Sequence, residues 1–237
     1  MSNAMVCDGL VSGYDRIPVL HGLDLQVEAG KVTALMGPNG AGKTTLLLTV
    51  AGVLKPLRGE LTVLGEAVRP GRPHLVARRG VALVPDGRAL FAGLTAEENV
   101  RLALAKARRK APPAGVIDYF PALRSKWHLR AGLLSGGEQQ MLAIGRALVC
   151  GAELLMIDEM SLGLAPIVVK NILPVLANAS RELGTSILIV EQHIDLALEV
   201  ADYAYVLRRG VVHVEGKPSE LRANSEVIRS AYLGDIA

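Results

Sequence analysis

Short apolar runs alternate with longer amphipathic segments along most of the chain. Apolar or alternating runs predict strands at 23–27, 31–36, 60–64, 81–84, 154–157, 186–190, 203–207 and 211–215. Helical periodicity predicts helices at 43–53, 95–109, 116–119, 138–149, 167–183 and 194–200, and a helical C-terminus. This strand–helix–strand order favours a parallel sheet with right-handed crossovers, and the last two strands are expected to form a hairpin.

The pattern changes between residues 95 and 150, where helical segments follow one another without strands. Thr95, followed three residues later by Glu98, has the spacing of a capping box at a helix start. We therefore predict an α/β core formed by residues 5–94 and 151–237, with residues 95–150 inserted as a helical subdomain.

Composition limits the class of protein. Half of the 237 residues are hydrophobic but only 3% are aromatic, which suits a parallel sheet packed between helices. The net charge of +3 includes no long basic cluster, so we expect no nucleic-acid partner. No run approaches the roughly 20 apolar residues of a membrane span, and no signal segment is evident, so we expect a cytoplasmic protein.

Two minor features complete the composition. Cys7 and Cys150 are too few and too far apart for a metal site, which favours reduced, inert thiols. Residues 1–4 resemble the remnant of an expression tag, so we exclude them from the fold and take Met5 as the native start.

Residues 37–44, GPNGAGKT, match the phosphate-binding loop pattern G-x-x-x-x-G-K-[ST] at every fixed position. The glycines let the backbone curl so that N–H groups face phosphate oxygens, and the next helix adds the positive end of its dipole. We expect Lys43 to reach the β- and γ-phosphates as a catalytic charge and the Thr44 hydroxyl to bind Mg²⁺. The expected ATP contacts are Asn39, Gly40, Ala41, Gly42, Lys43, Thr44 and Thr45.

Two consecutive carboxylates, Asp158 and Glu159, follow the apolar run at 154–157. Such a strand delivers its last side chains to the carboxyl edge of the sheet, where open α/β sheets bind ligands. We expect Asp158 to hold Mg²⁺ through a water molecule and Glu159 to act as the catalytic base toward the attacking water. The alternative is a pair of surface acids that cap the next helix.

A glycine-rich segment before the helix at 138–149 narrows the class further. Residues 134–140 are LSGGEQQ, and this motif resembles the signature of the ATP-binding-cassette (ABC) ATPase family. On physical grounds alone, a serine cap and two glycines at a helix N-terminus make a second anion site, the alternative being a simple capped turn. We expect ATP contacts from Ser135, Gly136, Gly137 and Glu138.

The resemblance covers the chain from Val6 to the C-terminus. It implies a P-loop NTPase fold: a mostly parallel core sheet, an N-terminal antiparallel β part and the helical subdomain. It also implies that two cassettes dock head to tail, each signature covering the ATP held by the other's P-loop. Tyr14 matches the family's adenine-stacking aromatic, or is a plain strand-end tyrosine, and residues 161–164 match the loop that crosses the dimer interface.

Two positions depart from the family pattern. Most members carry Gln after one core strand, where this chain has Asp86, which we expect beside the Mg²⁺ ion. Most members carry His after a later strand. The Ala201-Asp202 pair sets the register so that Gln192 takes this catalytic switch position and His193 faces solvent.

These departures indicate one branch of the family. The segments PDGR at 85–88, SLGLAP at 161–166 and VEQ at 190–192 together resemble the second ATPase of branched-chain amino acid importers. Relatives in this branch that import urea, amides or other amino acids are the alternative. A non-transport ABC protein, an exporter ATPase and a P-loop kinase explain the motifs less well.

The resemblance also implies partners and a location. We expect separate membrane permease subunits, a second ATPase subunit that is either a paralogue or a second copy, and indirectly a periplasmic solute-binding protein. The chain would then lie peripherally on the cytoplasmic face of the inner membrane. The helical subdomain would form part of the groove that receives the permease, and Trp127 either lines that groove or packs in the core.

Overall fold

A computed structural model describes residues 2–105, 107, 111–224, 228 and 232. Within them the strands are β1 (Asn3–Tyr14), β2 (Ile17–Glu28), β3 (Val32–Met36), β4 (Pro56–Val63), β5 (Glu66–Ala67), β6 (Val81–Val84), β7 (Leu154–Asp158), β8 (Ser186–Glu191), β9 (Tyr203–Arg208) and β10 (Val211–Gly216). The α-helices are α1 (Lys43–Val50), α2 (Pro73–Arg78), α3 (Ala96–Leu104), α4 (Gly115–Tyr119), α5 (Gly136–Val149), α6 (Pro166–Leu183), α7 (Ile194–Val200) and α8 (Pro218–Ala223). Short 3₁₀ segments lie at Pro121–Lys126 and Ala131–Leu133.

The strands form two sheets. The larger sheet has the order β10-β9-β3-β8-β7-β6, in which all neighbouring strands are parallel except the β9–β10 hairpin. The smaller sheet is antiparallel, with the order β2-β1-β4-β5. The predicted fold class and the predicted hairpin are therefore confirmed.

The parallel sheet is covered on both faces, which explains its continuous apolar runs. Every residue of β3, β7 and β8 is buried. Because successive side chains of a strand point to opposite faces, Leu154 and Met156 pack with α1 and the antiparallel sheet, whereas Leu155 and Ile157 pack with α5 and α6. Polar side chains can then be presented only where the strands end.

The helical subdomain begins with the predicted capping box. Glu98 N donates to Thr95 Oγ1 over 3.1 Å, and Thr95 N donates to Glu98 Oε2 over 2.8 Å, so this prediction is confirmed. Trp127 is 7% exposed and belongs to the core cluster that this subdomain shares with the parallel sheet. Of the two roles considered for Trp127, core packing is the observed one.

Several boundaries differ from the prediction. The first helix ends at Val50, because Gly52 adopts a left-handed conformation with φ of 74° and turns the chain toward β4. The helix predicted at 95–109 ends at Leu104, and part of the remainder lies outside the described residues. Within the predicted helical C-terminus the structure shows α8, and most residues after Asn224 lie outside the described residues.

Asn3 and Ala4, which we excluded from the fold together with the rest of residues 1–4, belong to β1. Asn3 pairs with Glu28 as the first residue of β1, and Ala4 is only 2% exposed. The β2 strand is long enough to offer these residues backbone partners, and the small Ala4 side chain fits a core position. Pairing of this kind depends on the neighbouring strand and is not visible in the residue pattern of the segment itself.

Two expectations from composition can be compared with the structure. Across the described part of the chain, no helix is both long enough and apolar enough to cross a membrane. Cys7 is buried, and this burial raises the pKa of its thiol to about 12, which agrees with an inert thiol.

Candidate active site

The phosphate-binding loop connects β3 to α1 and is shaped by its glycines. Gly37, Gly40 and Gly42 have φ values of 152°, 76° and 108°, a region that favours glycine. A Cβ on Gly42 would lie 2.8 Å from Leu20 Cδ2, and a Cβ on Gly37 would collide with the Leu207 carbonyl oxygen. Gly37 and Gly42 are therefore required both by backbone conformation and by close packing against β9 and β2, whereas Gly40 is favoured by its backbone conformation alone.

Lys43 lies inside this loop. Its side chain curls back so that Nζ donates to the carbonyl oxygens of Gly37 and Pro38 over 2.8 and 3.0 Å. Burial lowers the pKa of the ammonium, and the nearby charges of Glu159 and Asp158 oppose that shift. The ammonium is thus held within the loop by two neutral oxygens.

The first turn of α1 is suited to bind an anion. The residue before the helix, Gly42, has no side chain to cap it, no cap from another described side chain is present, and the first turn contains no acidic residue. The first N–H groups of a helix have no partner within the helix and carry partial positive charge. Lys43 is itself the first residue of α1, so its ammonium and these N–H groups belong to the same junction of loop and helix.

Thr44 and Asp158 meet between α1 and the end of β7. Thr44 Oγ1 donates to Asp158 Oδ2 over 3.0 Å. The other oxygen, Asp158 Oδ1, is buried and has no hydrogen-bond partner among the described residues. Burial is the main cause that raises the pKa of this carboxyl, and the charges of Glu159 and Asp86 raise it further.

An unpaired buried carboxylate oxygen beside a hydroxyl fits a Mg²⁺ ion, because Mg²⁺ prefers oxygen ligands. The described residues contain no group of three or more His, Cys, Asp or Glu side chains arranged to hold a metal alone. The protein would therefore supply few of the ligands itself, as is usual for Mg²⁺ that is bound together with nucleotide phosphates. Asp86 lies nearby but is exposed, and its Oδ1 accepts from Gly87 N over 2.6 Å.

Glu159 and Gln192 are brought together across neighbouring strands. Gln192 Nε2 donates to Glu159 Oε1 over 2.6 Å, and Glu159 has a left-handed φ of 46° that turns it away from Asp158. A small cleft of about 50 Å³ is lined by both residues. His193 also lines this cleft, but its side chain is exposed and it lies just before α7.

The signature segment forms the predicted serine cap on α5. Glu138 N donates to Ser135 Oγ over 3.3 Å, and Ser135 N donates to Glu138 Oε2 over 2.8 Å. Gly137 allows close packing, because a Cβ there would lie 2.7 Å from Val168 Cγ1. Among the described residues, no hydrogen bond or ion pair joins this segment to residues 37–45.

Tyr14 ends β1 beside the turn into β2 and is 45% exposed. It pairs with Ile17, two residues before Val19, whose side chain approaches Gly42. The tyrosine ring therefore lies on the same strand pair that packs behind the phosphate-binding loop.

Three contacts near the site have no signal in the sequence. Arg88 Nη1 donates to Gln139 Oε1 over 2.9 Å and so connects the loop after β6 with the signature helix. Gly37 N donates to the Tyr232 hydroxyl over 2.8 Å. Glu191 is buried and bonded to the loop after Glu159. Each contact joins residues far apart in the chain, where spacing rules carry no information.

Known proteins resemble this chain over nearly its whole length. The ABC transporter family model matches residues 20–161. The branched-chain amino acid transport ATP-binding protein BraG of Pseudomonas aeruginosa is 40% identical, over 96% of this chain and 98% of its own. The probable branched-chain amino acid transport ATP-binding protein LivF of Archaeoglobus fulgidus is 37% identical, over 90% of this chain and 91% of its own.

Two further comparisons extend this picture. The lipopolysaccharide export system ATP-binding protein LptB of Acidithiobacillus ferridurans is 31% identical, over 99% of this chain and 98% of its own. Among solved structures, cbiO1 from Clostridium perfringens, part of the ABC transporter complex cbiONQ, superimposes with a TM-score of 0.83 at 26% identity, over 97% of this chain and 94% of that one. The chain therefore belongs to the ABC transporter family and is an ATPase of the ATP-binding-cassette type.

Proposed function

We propose that this chain energises the uptake of branched-chain amino acids by hydrolysing ATP for a separate membrane permease. The observation that supports ATP hydrolysis is the convergence of Lys43, the Thr44–Asp158 pair and the Glu159–Gln192 pair at one edge of the parallel sheet. The solute is inferred from the similarity to BraG and LivF, which are the most identical of the relatives described above.

In this proposal each side chain has one role in hydrolysis. The loop N–H groups and Lys43 bind the phosphates, and Lys43 leaves its two carbonyl partners to do so. Glu159 accepts the proton of the attacking water, for which the 50 Å³ cleft beside it offers space. The Gln192 amide orients Glu159 and donates to charge that develops on the γ-phosphate.

Thr44 and Asp158 are the residues that would hold Mg²⁺, Asp158 through water, with Asp86 beside them. The bound metal would neutralise phosphate charge and fix the orientation of the phosphates. The unpaired Asp158 Oδ1 supports this assignment, since a buried polar atom without a partner is costly unless a ligand satisfies it.

The signature segment is assigned to the nucleotide of a second subunit. Ser135, the N–H groups of Gly136 and Gly137, and Glu138 would contact the γ-phosphate held by that subunit's phosphate-binding loop. This arrangement is supported by the lack of hydrogen bonds between the signature and residues 37–45 within the described part of one chain. The second subunit is a related paralogue in the cell and a second copy when the chain is purified alone. Tyr14 would stack on adenine.

Permease docking is assigned to the boundary between the core and the helical subdomain. A cleft of about 480 Å³ lies there, with walls from α2, β6, α3 and α5 that include Leu83, Ala103 and Ala147. Docking in this cleft would hold the chain on the cytoplasmic face of the inner membrane, with the periplasmic solute-binding protein acting from the other side.

The similarity to LptB favours a second candidate, an export system with the same ATPase cycle. If the chain serves an importer, urea, amides and other amino acids are the alternative solutes. Because all these candidates share the same ATP hydrolysis, hydrolysis and solute are tested separately.

The metal assignment predicts the behaviour of Asp158→Asn. This variant should bind ATP in the presence of Mg²⁺ about tenfold or more weakly than wild type, approaching the affinity of wild type in EDTA. A fluorescent ATP analogue measures both affinities, and Asp195→Asn, which alters an exposed aspartate on α7, is the control. An unchanged Mg²⁺ dependence in Asp158→Asn would remove Asp158 from the metal site.

The same residue predicts a pH dependence. Burial raises the folded-state pKa of Asp158 above its ordinary value, so the folded protein binds this proton more tightly than the unfolded chain does. The destabilising effect of the charge is therefore present above the raised pKa and is lost as pH falls through it toward the ordinary aspartate range. Between these two pKa values, the melting temperature of nucleotide-free Asp158→Asn should change less with pH than the melting temperature of nucleotide-free wild type.

The base assignment predicts the behaviour of Glu159→Gln. This variant keeps the shape of the site but cannot accept a proton, so ATP turnover should fall by about 10²–10⁴-fold while ATP binding persists. Because hydrolysis opens the dimer in this proposal, the variant should accumulate as an ATP-bound dimer in size-exclusion chromatography. Turnover within a few-fold of wild type would exclude Glu159 as the base.

The assignment of Gln192 to the switch position predicts that substitutions at Gln192 and at His193 affect kcat differently. Gln192→Ala removes the 2.6 Å bond to Glu159 and should lower kcat about tenfold or more, whereas His193→Ala alters an exposed side chain and should change kcat less than about twofold. Steady-state phosphate release measures both. The reverse order would place His193 at the switch position.

The solute is tested by uptake in cells that express the whole transport system. Replacing the wild-type chain with Glu159→Gln should abolish uptake of radiolabelled leucine, isoleucine and valine and leave passive entry of urea unchanged. Loss of urea uptake without loss of leucine uptake would support the amide alternative. Normal uptake of both, with accumulation of lipopolysaccharide in the inner membrane, would support the export candidate.

A further inference from the structure

Glu191, the last residue of β8, carries a buried carboxylate beside the proposed catalytic pair. It is 1% exposed, and both of its oxygens accept hydrogen bonds. Oε1 accepts from Ser161 N over 2.6 Å, and Oε2 accepts from Ser161 Oγ over 2.8 Å and from Gln192 N over 3.2 Å. A buried charge is costly unless such bonds satisfy it, so this site is built around the carboxylate.

Strand register explains why Glu191 can reach this loop. In the parallel pairing of β7 with β8, Asp158 lies opposite Val190. The residues after these two, Glu159 and Glu191, therefore lie side by side where β7 and β8 end. Ser161, two residues farther along, turns back toward Glu191 and is itself 8% exposed.

The contacts form a closed ring around the catalytic pair. Gln192 Nε2 donates to Glu159 Oε1 over 2.6 Å, and Gln192 N donates to Glu191. Glu191 in turn holds both the N–H and the hydroxyl of Ser161, and the chain from 159 to 161 completes the ring. Glu191 is thus bonded to the segments that carry both members of the pair.

This ring of hydrogen bonds holds the unusual backbone conformation of Glu159. Its φ of 46° is left-handed, a conformation that residues other than glycine keep only where surrounding contacts impose it. The two bonds from Ser161 to Glu191 fix the turn that follows Glu159. Without them the turn could relax, and the Glu159 carboxylate would move away from the position in which Gln192 holds it.

We propose that Glu191 is a positioning residue for ATP hydrolysis, which acts through Ser161 to hold the Glu159 carboxylate and the Gln192 amide in one fixed arrangement. This inference rests on the proposed roles of Glu159 and Gln192. It adds that the loop after β7 and the switch position after β8 are locked together by one carboxylate, so a change at either segment is transmitted to the other.

The test uses one substitution at each end of the Ser161–Glu191 contact, which we call the clamp. Ser161→Ala removes one of the bonds, and Glu191→Leu removes all three at similar volume. We expect kcat for ATP hydrolysis to fall several-fold in Ser161→Ala and about tenfold or more in Glu191→Leu, because a small displacement of a catalytic group has a large effect on rate. KM and the dissociation constant for ATP should stay within about twofold, since the phosphate-binding loop is unchanged.

Comparison of Glu191→Gln with Glu191→Leu distinguishes a positioning role of Glu191 from a general effect on protein stability. Glu191→Gln keeps an oxygen for Ser161 N and should therefore retain more kcat than Glu191→Leu. In Ser161→Ala/Glu191→Leu the losses should not multiply, because both changes break the same clamp.

A matched control is available on α6. Ser180 is 4% exposed, and its hydroxyl donates over 2.8 Å to the carbonyl oxygen of Gly30, which precedes β3 and so lies at the opposite edge of the sheet from the catalytic segments. Ser180→Ala should lower the melting temperature without lowering kcat, and Glu199→Gln, which alters an exposed acid on α7, should change neither.

The outcomes distinguish this inference from the function on which it rests. Wild-type kcat in Ser161→Ala and Glu191→Leu would overturn the positioning role, even if Glu159→Gln is inactive. If Glu191→Leu does not fold, the kcat of Ser161→Ala, compared with that of Ser180→Ala at an equal loss of melting temperature, decides the question. Unimpaired hydrolysis in Glu159→Gln would instead overturn the proposed base.

Discussion

The parallel pairing of β3, β8 and β7 is the constraint on which the site depends. Met36 lies opposite Glu191, and Asp158 lies opposite Val190. The three strands therefore end at the same edge, and the segments that follow them must leave the sheet within a few ångströms of each other. The phosphate-binding loop, the two carboxylates Asp158 and Glu159 at the end of β7, and Gln192 come together for this reason.

The burial of these strands also determines the electrostatics of the site. Because both faces of the sheet are covered by apolar layers, the charged groups at its edge are only partly solvated. Burial raises the pKa of Asp158 and lowers that of Lys43, so each group is held in an environment that disfavours its own charge. A ligand that carries both phosphates and a cation would satisfy the lysine, the free helix N–H groups and the unpaired carboxylate oxygen together. The site is thus organised for charges that the chain does not itself supply.

The sequence predicts the parts of this molecule that depend on local spacing. The phosphate-binding loop, the serine cap at Ser135 and the capping box at Thr95 each join residues within one turn, so their patterns are visible in the chain. The buried strands are also predictable, since both faces must be apolar. Gln192 could be identified only with the family register, because the sequence alone gives no reason to prefer it to His193. The observed bond to Glu159 and the exposure of His193 agree with that register.

The remaining features were not predictable because they depend on distant partners. The contribution of Asn3 and Ala4 to β1 requires the full length of β2, and α2 is too short for helical periodicity to emerge. The bonds of Glu191 to Ser161 and of Arg88 to Gln139 join residues separated by 30 and 51 positions. Such contacts follow from strand order and loop geometry, which a spacing rule does not contain.

The contacts of the signature helix suggest how two subunits of a dimer could be coupled. Ser135 is bonded within its own helix cap, while Arg88 connects that helix to the loop after β6, which also contains Asp86. If the signature contacts the partner's nucleotide as proposed, this bond connects it to the loop that carries Asp86. The loop of residues 161–164 is bonded through Ser161 to Glu191 at the end of β8. If the partner's nucleotide contacts both segments, each ATP is sensed by two subunits at once, and hydrolysis in one site weakens the grip of both. Coupling of this kind requires rigid connections rather than flexible loops, and the buried carboxylate of Glu191 provides one because it accepts three hydrogen bonds.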